Sequence, residues 1–323
     1  MARFFLTLSI SFLGFFCASQ SRGIKDSFLL DSTNIKVTLL GTGDPEPAMS
    51  RFGPSILVQA GNETLLFDAG RGCAQRLYQI NVSYRDVNAL FLTHLHSDHV
   101  VGIPDLWLSG WVVSRRDIPL PVFGPEGTTE MIQNLEKAFA FDIRIRIEGG
   151  KAPAQGGRLS ATDIRQGTVY EKNGVKVTAF LVDHFPLVPA FGYRIEYKGH
   201  TVVLSGDTRY CENLIANAKG ADLLVHEVVI SPETVSPSDP KYRIFATHTR
   251  PEQAGKIFGQ VKPKLAVYSH IVEVFKGWGA QELYDHTKSV YSGAFVVGKD
   301  LMRFSVGDTV SSGSWLKEDQ ALQ

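Results

Sequence analysis

Three histidines and one aspartate lie within six residues in the first third of the chain. His94, His96, Asp98 and His99 directly follow an apolar run that is typical of a buried strand. In an extended segment His94 and His96 point the same way, because side chains alternate between the two faces of a strand. Imidazole and carboxylate groups are ligands of borderline divalent cations such as zinc. Two pairs of such ligands on one loop predict two metal ions a few ångströms apart, an arrangement that supports in-line displacement at phosphorus.

Three further polar residues follow predicted strands in the second half of the chain. They are His184, Asp207 and His270, and each comes at or just after the end of an apolar run, as His94 does. Any one of them alone would more simply be a hydrogen-bonded histidine or a turn aspartate. Their joint occurrence at equivalent places in the chain favours a shared site over that explanation.

Strand-like and helix-like segments alternate along the chain in two similar halves, with the polar candidates collected at strand ends. This order predicts an α/β fold of four layers, αββα, in which two sheets pack face to face with helices outside. The predicted strands are 35–40, 55–59, 64–67, 89–92, 121–123, 175–182, 191–197, 201–204, 223–225 and 265–268. The predicted helices are 73–79, one from about 101, one that ends near 139, 251–260 and 281–288.

The N-terminal twenty residues differ in composition from the rest. Residues 1–20 combine a short basic start, an apolar run and small residues suited to cleavage. They predict a secretory signal peptide, because the apolar run is short for a membrane span; an uncleaved anchor is the alternative. We therefore expect residues 21–323 to form a single domain that is periplasmic or secreted and not inserted in the membrane.

The charge balance argues against a polyanionic partner. Lysine plus arginine and aspartate plus glutamate number 33 each, so the chain has no overall field that attracts nucleic acid. The stretch nearest to a basic cluster, residues 142–146, alternates charged and apolar side chains and predicts a strand. Cys73 and Cys211 are the cysteines of the expected mature chain, and the sequence leaves open whether they are bridged.

The candidate ligands, in their order along the chain, resemble the ligand set of the metallo-β-lactamase superfamily, and Asp68-Ala69-Gly70 matches another of its motifs. The resemblance covers nearly all of residues 21–323. It implies a metallo-β-lactamase-like sandwich and a hydrolase whose nucleophile is a hydroxide between two divalent metal ions, most often Zn²⁺. The ligands it implies are His94, His96 and His184 for one metal, Asp98, His99 and His270 for the second, and Asp207 bridging both.

A narrower resemblance links the chain to the tRNase Z and arylsulfatase-type branch of that superfamily. It is carried by the segments 190–195 and 205–208 and by His226-Glu227 followed by His248-Thr249. In that branch the residues matching Glu227 and His248 form a proton relay, which suits a leaving oxygen that must be protonated. The alternative for His248 is a loop histidine before the helix that Pro251 opens. The catalytic residues implied are Asp98, Glu227 and His248.

The sequence leaves several substrates in competition. Our main prediction is an exported hydrolase of small sulfate or phosphate esters, and the alternative is a ribonuclease Z-type endonuclease that processes tRNA 3′ ends. Against the alternative stand the neutral charge, the predicted export and the short turn after Ile195, where tRNase Z enzymes usually carry a long tRNA-binding arm. We therefore do not expect a nucleic-acid partner. A lactonase and a non-catalytic metal-binding scaffold are further alternatives, and a homodimer is left open.

Overall fold

Two mixed β-sheets organise residues 33–150 and 152–315, which the computed structural model describes. The strands are β1 (Ile35–Gly41), β2 (Ser55–Ala60), β3 (Glu63–Phe67), β4 (Ala89–Phe91), β5 (Leu120–Gly124), β6 (Leu159–Asp163), β7 (Gly167–Lys172), β8 (Val175–Val182), β9 (Ala190–Tyr197), β10 (His200–Leu204), β11 (Leu223–Val229), β12 (Leu265–Val272), β13 (Phe295–Val297), β14 (Met302–Val306) and β15 (Val310–Ser314). The first sheet has the order β15-β14-β1-β2-β3-β4-β5-β6 and the second the order β13-β12-β11-β10-β9-β8-β7.

The inner faces of the two sheets share one apolar core. Phe67 and Phe91 of the first sheet stack with ring centroids 5.0 Å apart, and Tyr193 of the second sheet packs against both rings. Alternate residues of the strands fill the rest of this layer, such as Val37 and Val202, which are fully buried. Because a strand directs every second side chain to the same face, this alternation joins the two sheets face to face.

Helices cover the outer face of each sheet. The helices are α1 (Cys73–Gln79), α2 (Ser97–Val100), α3 (Ile103–Val112), α4 (Thr128–Ala138), α5 (Ala140–Glu148), α6 (Glu212–Ala218), α7 (Tyr242–Thr247), α8 (Pro251–Val261) and α9 (Ala280–Val290), of which α2 and α7 lie at the site rather than over a sheet. Leu77 of α1 and Trp107 of α3 lie in a buried cluster with the outer face of the first sheet, and Phe258 of α8 and Leu283 of α9 lie in a cluster with the second. The predicted α/β sandwich of four layers is confirmed.

One predicted strand is wrong. Residues 142–146 belong to helix α5, where Asp142 and Arg146 form an ion pair one helical turn apart, with a distance of 2.8 Å between Arg146 Nε and Asp142 Oδ2. Ile143 packs against the cluster outside the first sheet. Over so short a stretch, an apolar residue at every second position is compatible with the two-residue period of a strand and with the 3.6-residue period of a helix. The packing of α5 beside α4 selects the helix.

The turn between β9 and β10 has two residues, Lys198 and Gly199, both with positive φ values of 47° and 84°. Such a turn matches the twist of an antiparallel hairpin and leaves no room there for an arm. Cys73 and Cys211 are both free thiols. Within the described ranges, no helix has the length and apolar character needed to span a bilayer.

The predicted signal peptide of residues 1–20 lies outside the described residues, and so does the boundary of the predicted domain 21–323. The described residues, from 33 onwards, group as one compact unit. Cleavage of the N-terminal segment and a single domain from residue 21 therefore stay predictions.

Candidate metal centre

The loop after β4 brings His94 and His96 together with His184, which follows β8, and with Asp207, which follows β10. His96 Nδ1 lies 3.0 Å from His94 Nε2 and 3.3 Å from His184 Nε2. Asp207 Oδ2 lies 3.8 Å from His94 Nε2 and 4.0 Å from His184 Nε2. All four potential ligand atoms lie within 4.8 Å of one another. One divalent cation can therefore reach all four.

Asp98, His99 and His270 form a second group beside the first. Asp98 Oδ2 lies 3.5 Å from His99 Nε2 and 3.3 Å from His270 Nε2. The same oxygen of Asp207 that faces the first group lies 3.4 Å from His99 Nε2 and 3.1 Å from His270 Nε2. Asp207 Oδ2 thus faces both groups, which is the position that a carboxylate shared by two cations requires.

The imidazole rings are oriented by hydrogen bonds from the nitrogen that faces away from the cluster. His99 Nδ1 lies 2.8 Å from Asp68 Oδ2, and His94 Nδ1 lies 2.9 Å from Thr93 Oγ1. The Thr93 hydroxyl in turn donates to Asp68 Oδ2 over 2.9 Å. Such partners fix the tautomer, because a proton held on Nδ1 leaves Nε2 free for a cation. The same holds for His184, whose Nδ1 donates to the Thr247 carbonyl over 3.2 Å.

Charges in the cluster balance one another. Burial lowers the pKa of His94 well below its ordinary value, and the neighbouring His99 adds to that effect. Burial also lowers the pKa of His270, but the Asp207 carboxylate and the hydrogen bond with Asp98 outweigh it and raise that pKa to about 9. Burial alone would raise the pKa of Asp207, yet the charges of His270 and His99 hold it well below its usual range. A divalent cation bound by His270 would replace the proton that this imidazole holds, so binding of metal should release protons.

The donor set fits divalent metal ions. His99 Nε2 and Asp207 Oδ1 are buried and have no hydrogen-bond partner among the described residues. A buried polar atom without a partner costs free energy, and a cation coordinated by that atom removes the cost. Imidazole with carboxylate is the ligand combination of zinc and its neighbours in the first transition row. The cluster is therefore compatible with a divalent metal site.

Glu227 and His248 lie directly beside the cluster. His248 Nδ1 is 3.2 Å from Glu227 Oε2, and Glu227 Oε1 accepts hydrogen bonds from the backbone N–H groups of Thr249 at 2.9 Å and Thr208 at 3.2 Å. Burial lowers the pKa of His248, but the charge and hydrogen bond of Glu227 outweigh it and raise that pKa above its ordinary value. A potential ligand atom of His248 also lies within 4.8 Å of one in Asp207 and one in His270. His248 can therefore hold a proton next to the cluster.

Two site residues have a left-handed backbone. His270 has a φ of 45° at a point where the pairing of β11 with β12 shifts register, and Asp68 has a φ of 58° directly after β3. Bulges of this kind turn a side chain away from the regular alternation of the strand. Non-glycine residues with positive φ are uncommon and concentrate at functional sites. The local conformation thus directs both side chains towards the cluster.

A cleft of about 370 Å³ opens onto the cluster from solvent. Its inner end is formed by the candidate ligands and His248. Its outer wall is formed by the loop after His184, with Pro186 and Leu187, and by helix α7, with Arg243 and Ile244. A substrate can therefore reach the ligands and His248 through the same opening.

Comparison with known proteins agrees with this geometry. The model of the family described as "Beta-lactamase superfamily domain" matches residues 63–271. The chain belongs to the metallo-β-lactamase superfamily, in its ribonuclease Z branch. It is 36% identical to a ribonuclease Z of Mycolicibacterium gilvum over 275 residues, which cover 84% of this chain and 96% of that protein. It is 36% identical to a ribonuclease Z of Mycobacterium bovis over 276 residues, which cover 84% and 98%.

Solved structures support the fold. YhfI from Bacillus subtilis, a metallo-β-lactamase fold protein, aligns with a TM-score of 0.66 at 21% identity and covers 87% of this chain and 100% of its own. The short form of human tRNase Z aligns with a TM-score of 0.59 at 20% identity and covers 83% and 98%. Together with the ribonuclease Z relatives, the superfamily membership makes this chain a metal-dependent hydrolase that acts on ester bonds.

The expectation that excluded a nucleic-acid partner is wrong, because the relatives of the chain are ribonucleases by name. The missing arm does not separate this chain from them. The alignment covers 96% of one relative and 84% of this chain over 275 residues, so that relative has no long insertion that this chain lacks. The neutral charge balance does not exclude RNA either, because it counts the whole chain and not the surface near the site.

The structure brings together all the residues that the sequence predicted for the site; their roles as ligands and relay stay predictions. Those residues are His94, His96, Asp98, His99, His184, Asp207, Glu227, His248 and His270. Sequence reasoning did not assign the orienting roles of Asp68, Thr93 and Thr247. The Asp-Ala-Gly motif was a signal for Asp68, whereas nothing local distinguishes Thr247 from another helix-end residue.

Proposed function

We propose that the chain is a ribonuclease Z-type endonuclease that hydrolyses a phosphodiester bond near the 3′ end of tRNA precursors. The observation that carries this proposal is its likeness to ribonucleases Z over almost their whole length. The Glu227–His248 pair beside a histidine and aspartate cluster supplies the chemistry that such a cleavage needs. Small sulfate esters lack comparable support, because the Mycolicibacterium gilvum and Mycobacterium bovis relatives are both ribonucleases by name.

We propose that the cluster binds two divalent cations, most readily Zn²⁺. His94, His96 and His184 would hold one, Asp98, His99 and His270 the other, and Asp207 would contact both. When bound, such ions polarise a phosphoryl oxygen and lower the pKa of a coordinated water. The orientation of His94, His99 and His184 by outer hydrogen bonds supports this assignment, because it directs one nitrogen of each ring into the cluster.

His248 is proposed to protonate the oxygen that leaves phosphorus. Its Nδ1 is held by Glu227, so its Nε2 is the nitrogen available to the substrate. Glu227 is itself fixed by two backbone N–H groups, which keeps the imidazole in one orientation and favours its charged form. A neighbouring imidazolium also stabilises the negative charge that develops on the phosphate.

A panel of substrates tests this function. The full-length chain, purified and supplied with zinc or manganese, is assayed on a pre-tRNA with a 3′ trailer, bis-p-nitrophenyl phosphate, p-nitrophenyl sulfate, a lactone and nitrocefin. We expect cleavage of the pre-tRNA at one position and slower hydrolysis of bis-p-nitrophenyl phosphate. Turnover of the sulfate ester or lactone without cleavage of any RNA would refute the proposal. A chain that binds metal and hydrolyses none of the five would instead be a scaffold.

Export remains a separate proposal, motivated by the composition of residues 1–20. An exported enzyme of this branch would meet RNA or small phosphodiesters outside the cytoplasm. Cell fractionation followed by N-terminal sequencing tests it. A mature N-terminus near residue 20 in an exported fraction supports export, whereas full-length protein confined to the cytosol contradicts it.

A further inference from the structure

One cationic side chain lines the cleft without a role in the proposed chemistry. Arg243 shares the cleft with Asp98, Asp207 and His248, and it is the only lysine or arginine among the described residues that line it. Its guanidinium forms no hydrogen bond or ion pair with any residue in the ranges 33–150 and 152–315. An arginine left unpaired beside a site for an anionic substrate is available to that substrate.

The position of Arg243 is fixed by the helix that carries it. Arg243 and Thr247 are four residues apart on α7, so they lie on the same face, and both line the cleft. The Thr247 carbonyl holds the His184 ring, and His248 directly follows the helix. At the other end of α7, the ammonium of Lys241 donates to the Val274 carbonyl. Helix α7 is therefore tied to the metal centre at one end and to the β12–α9 connection at the other.

Arg243 lies further out in the cleft than the groups that would act on the scissile phosphate. Its side chain is exposed, whereas Asp98, Asp207 and the side chain of His248 are largely buried at the inner end. Two apolar residues, Leu187 and Ile244, also line the cleft. A substrate strand with one phosphate at the cluster would continue along the cleft that Arg243 also lines.

We propose that Arg243 binds the phosphate next to the scissile one, so that the enzyme favours a chain of phosphodiesters over a single ester. This inference rests on the proposed function. A guanidinium suits this task because it donates two parallel N–H groups to the oxygens of one phosphate. The contact is the same before and during the reaction, so it should act mainly on KM and less on kcat.

The test combines substitution of the arginine with neutralisation of the phosphate. Pre-tRNAs are made with an uncharged methylphosphonate linkage directly 5′ or directly 3′ of the cleaved bond. For the wild type, we expect one of the two modified RNAs to have kcat/KM about 10- to 100-fold lower than the native RNA, the range for a charge-assisted hydrogen bond. On native RNA, kcat/KM of Arg243→Gln should be lower than that of the wild type by a similar factor, mostly through a higher KM. On the modified RNA, kcat/KM of this variant should be no lower than it is on native RNA.

Two variants serve as comparisons. Arg165→Gln removes one exposed positive charge that does not line the cleft and should keep the wild-type activity and the wild-type response to the modified linkage. Arg243→Lys keeps the charge without the paired donors and should give an intermediate KM. The loss for Arg243→Gln should also be at least 10-fold larger on RNA than on bis-p-nitrophenyl phosphate, which carries one phosphate. Metal content and the unfolding midpoint are measured for every variant.

The outcomes separate the two proposals. If the wild type cleaves RNA but Arg243→Gln remains as sensitive to both modified linkages as the wild type, the role of Arg243 is wrong and the proposed function stands. If Arg243→Gln loses kcat/KM by the same factor on RNA and on bis-p-nitrophenyl phosphate, the role of Arg243 is likewise wrong and the proposed function stands. If the wild type hydrolyses bis-p-nitrophenyl phosphate and no RNA, both proposals are wrong.

Discussion

Replacing Asp68 with asparagine should weaken metal binding about 10- to 100-fold without unfolding the protein. The Asp68 carboxylate accepts three hydrogen bonds: from the Thr93 backbone N–H at 2.8 Å, from the Thr93 hydroxyl at 2.9 Å and from His99 Nδ1 at 2.8 Å. Asparagine has nearly the same shape and tolerates the left-handed backbone of this position. Its amide, however, offers one acceptor oxygen where the carboxylate has two.

The size of the effect follows from the tautomer of His99. If the amide oxygen keeps the bond from the Thr93 backbone, the amide NH₂ faces His99 Nδ1, and two donors then oppose each other. Nδ1 can then no longer hold a proton, so a proton that stays on His99 must lie on Nε2, the nitrogen that faces Asp98 and Asp207. Metal binding must then reverse that change, at a cost of about 1.4 to 2.7 kcal/mol for a 10- to 100-fold loss of affinity. Loss of hydrogen bonds to a buried charge should also lower the free energy of unfolding of the metal-free protein by about 1.5 to 3 kcal/mol.

The assay is competition between metal-free protein and a chromophoric chelator for zinc, with urea unfolding of the same samples. Asp163→Asn is a matched control, because the exposed Asp163 carboxylate also accepts the backbone N–H and the hydroxyl of one threonine, Thr129, at 2.7 and 2.8 Å. That variant should lose at most about 1 kcal/mol of stability and keep its metal affinity. If Asp68→Asn binds zinc as tightly as the wild type, the reasoning on the His99 tautomer is refuted.

Three further predictions concern the relay, a buried ion pair and the metal itself. His248→Asn should lower kcat about 10²- to 10⁴-fold at unchanged metal content; loss of metal in this variant would instead make His248 a ligand. Asp300→Ala should lower the free energy of unfolding by about 3 to 5 kcal/mol, because the buried carboxylate pairs with Arg76 at 2.9 Å and accepts hydrogen bonds from the backbone N–H groups of Thr42 and Phe52; a loss below about 1 kcal/mol in urea unfolding would contradict this. Removal of metal with a chelator should abolish hydrolysis and lower the unfolding temperature, and zinc should restore both; hydrolysis by protein shown to be free of metal would contradict the role of the cluster.

The strands that carry the site could be predicted from the sequence because each is an apolar run that ends in a polar residue. His94, His184 and Asp207 come two or three residues after such strands, and the fold places those ends together. The sequence could not show which nitrogen of each ring faces the cluster. That choice depends on hydrogen bonds to Asp68, Thr93 and Thr247, and Thr247 lies 63 residues from the His184 ring that it holds.

The elements that the sequence did not predict lack a strong local pattern. Strand β6 is Leu-Ser-Ala-Thr-Asp and is half exposed, and β7 is an exposed edge strand of the second sheet. Strands of this kind are specified by pairing with β5 and β8, which a local pattern does not contain. Helix α7 is short and has no fully buried residue, so its register comes from contacts such as the bond between Thr247 and His184.

One of the three grounds for the error about nucleic acid, the neutral charge balance, is a property of the whole chain and was used as if it described one surface. Equal numbers of acidic and basic residues exclude a strong overall field. They do not exclude a single arginine in a cleft, or cations bound by a histidine cluster, either of which can bind a phosphate chain. The local arrangement around Arg243 could not be read from composition.

The most direct test of this account is elemental analysis of the full-length protein, purified without chelators, beside its Asp207→Ala variant. Asp207 Oδ2 faces both groups of ligands, so the account predicts two divalent transition-metal ions per wild-type chain and a large loss of both in the variant. A wild-type protein that contains no such metal, and takes up none when zinc is added, would contradict it.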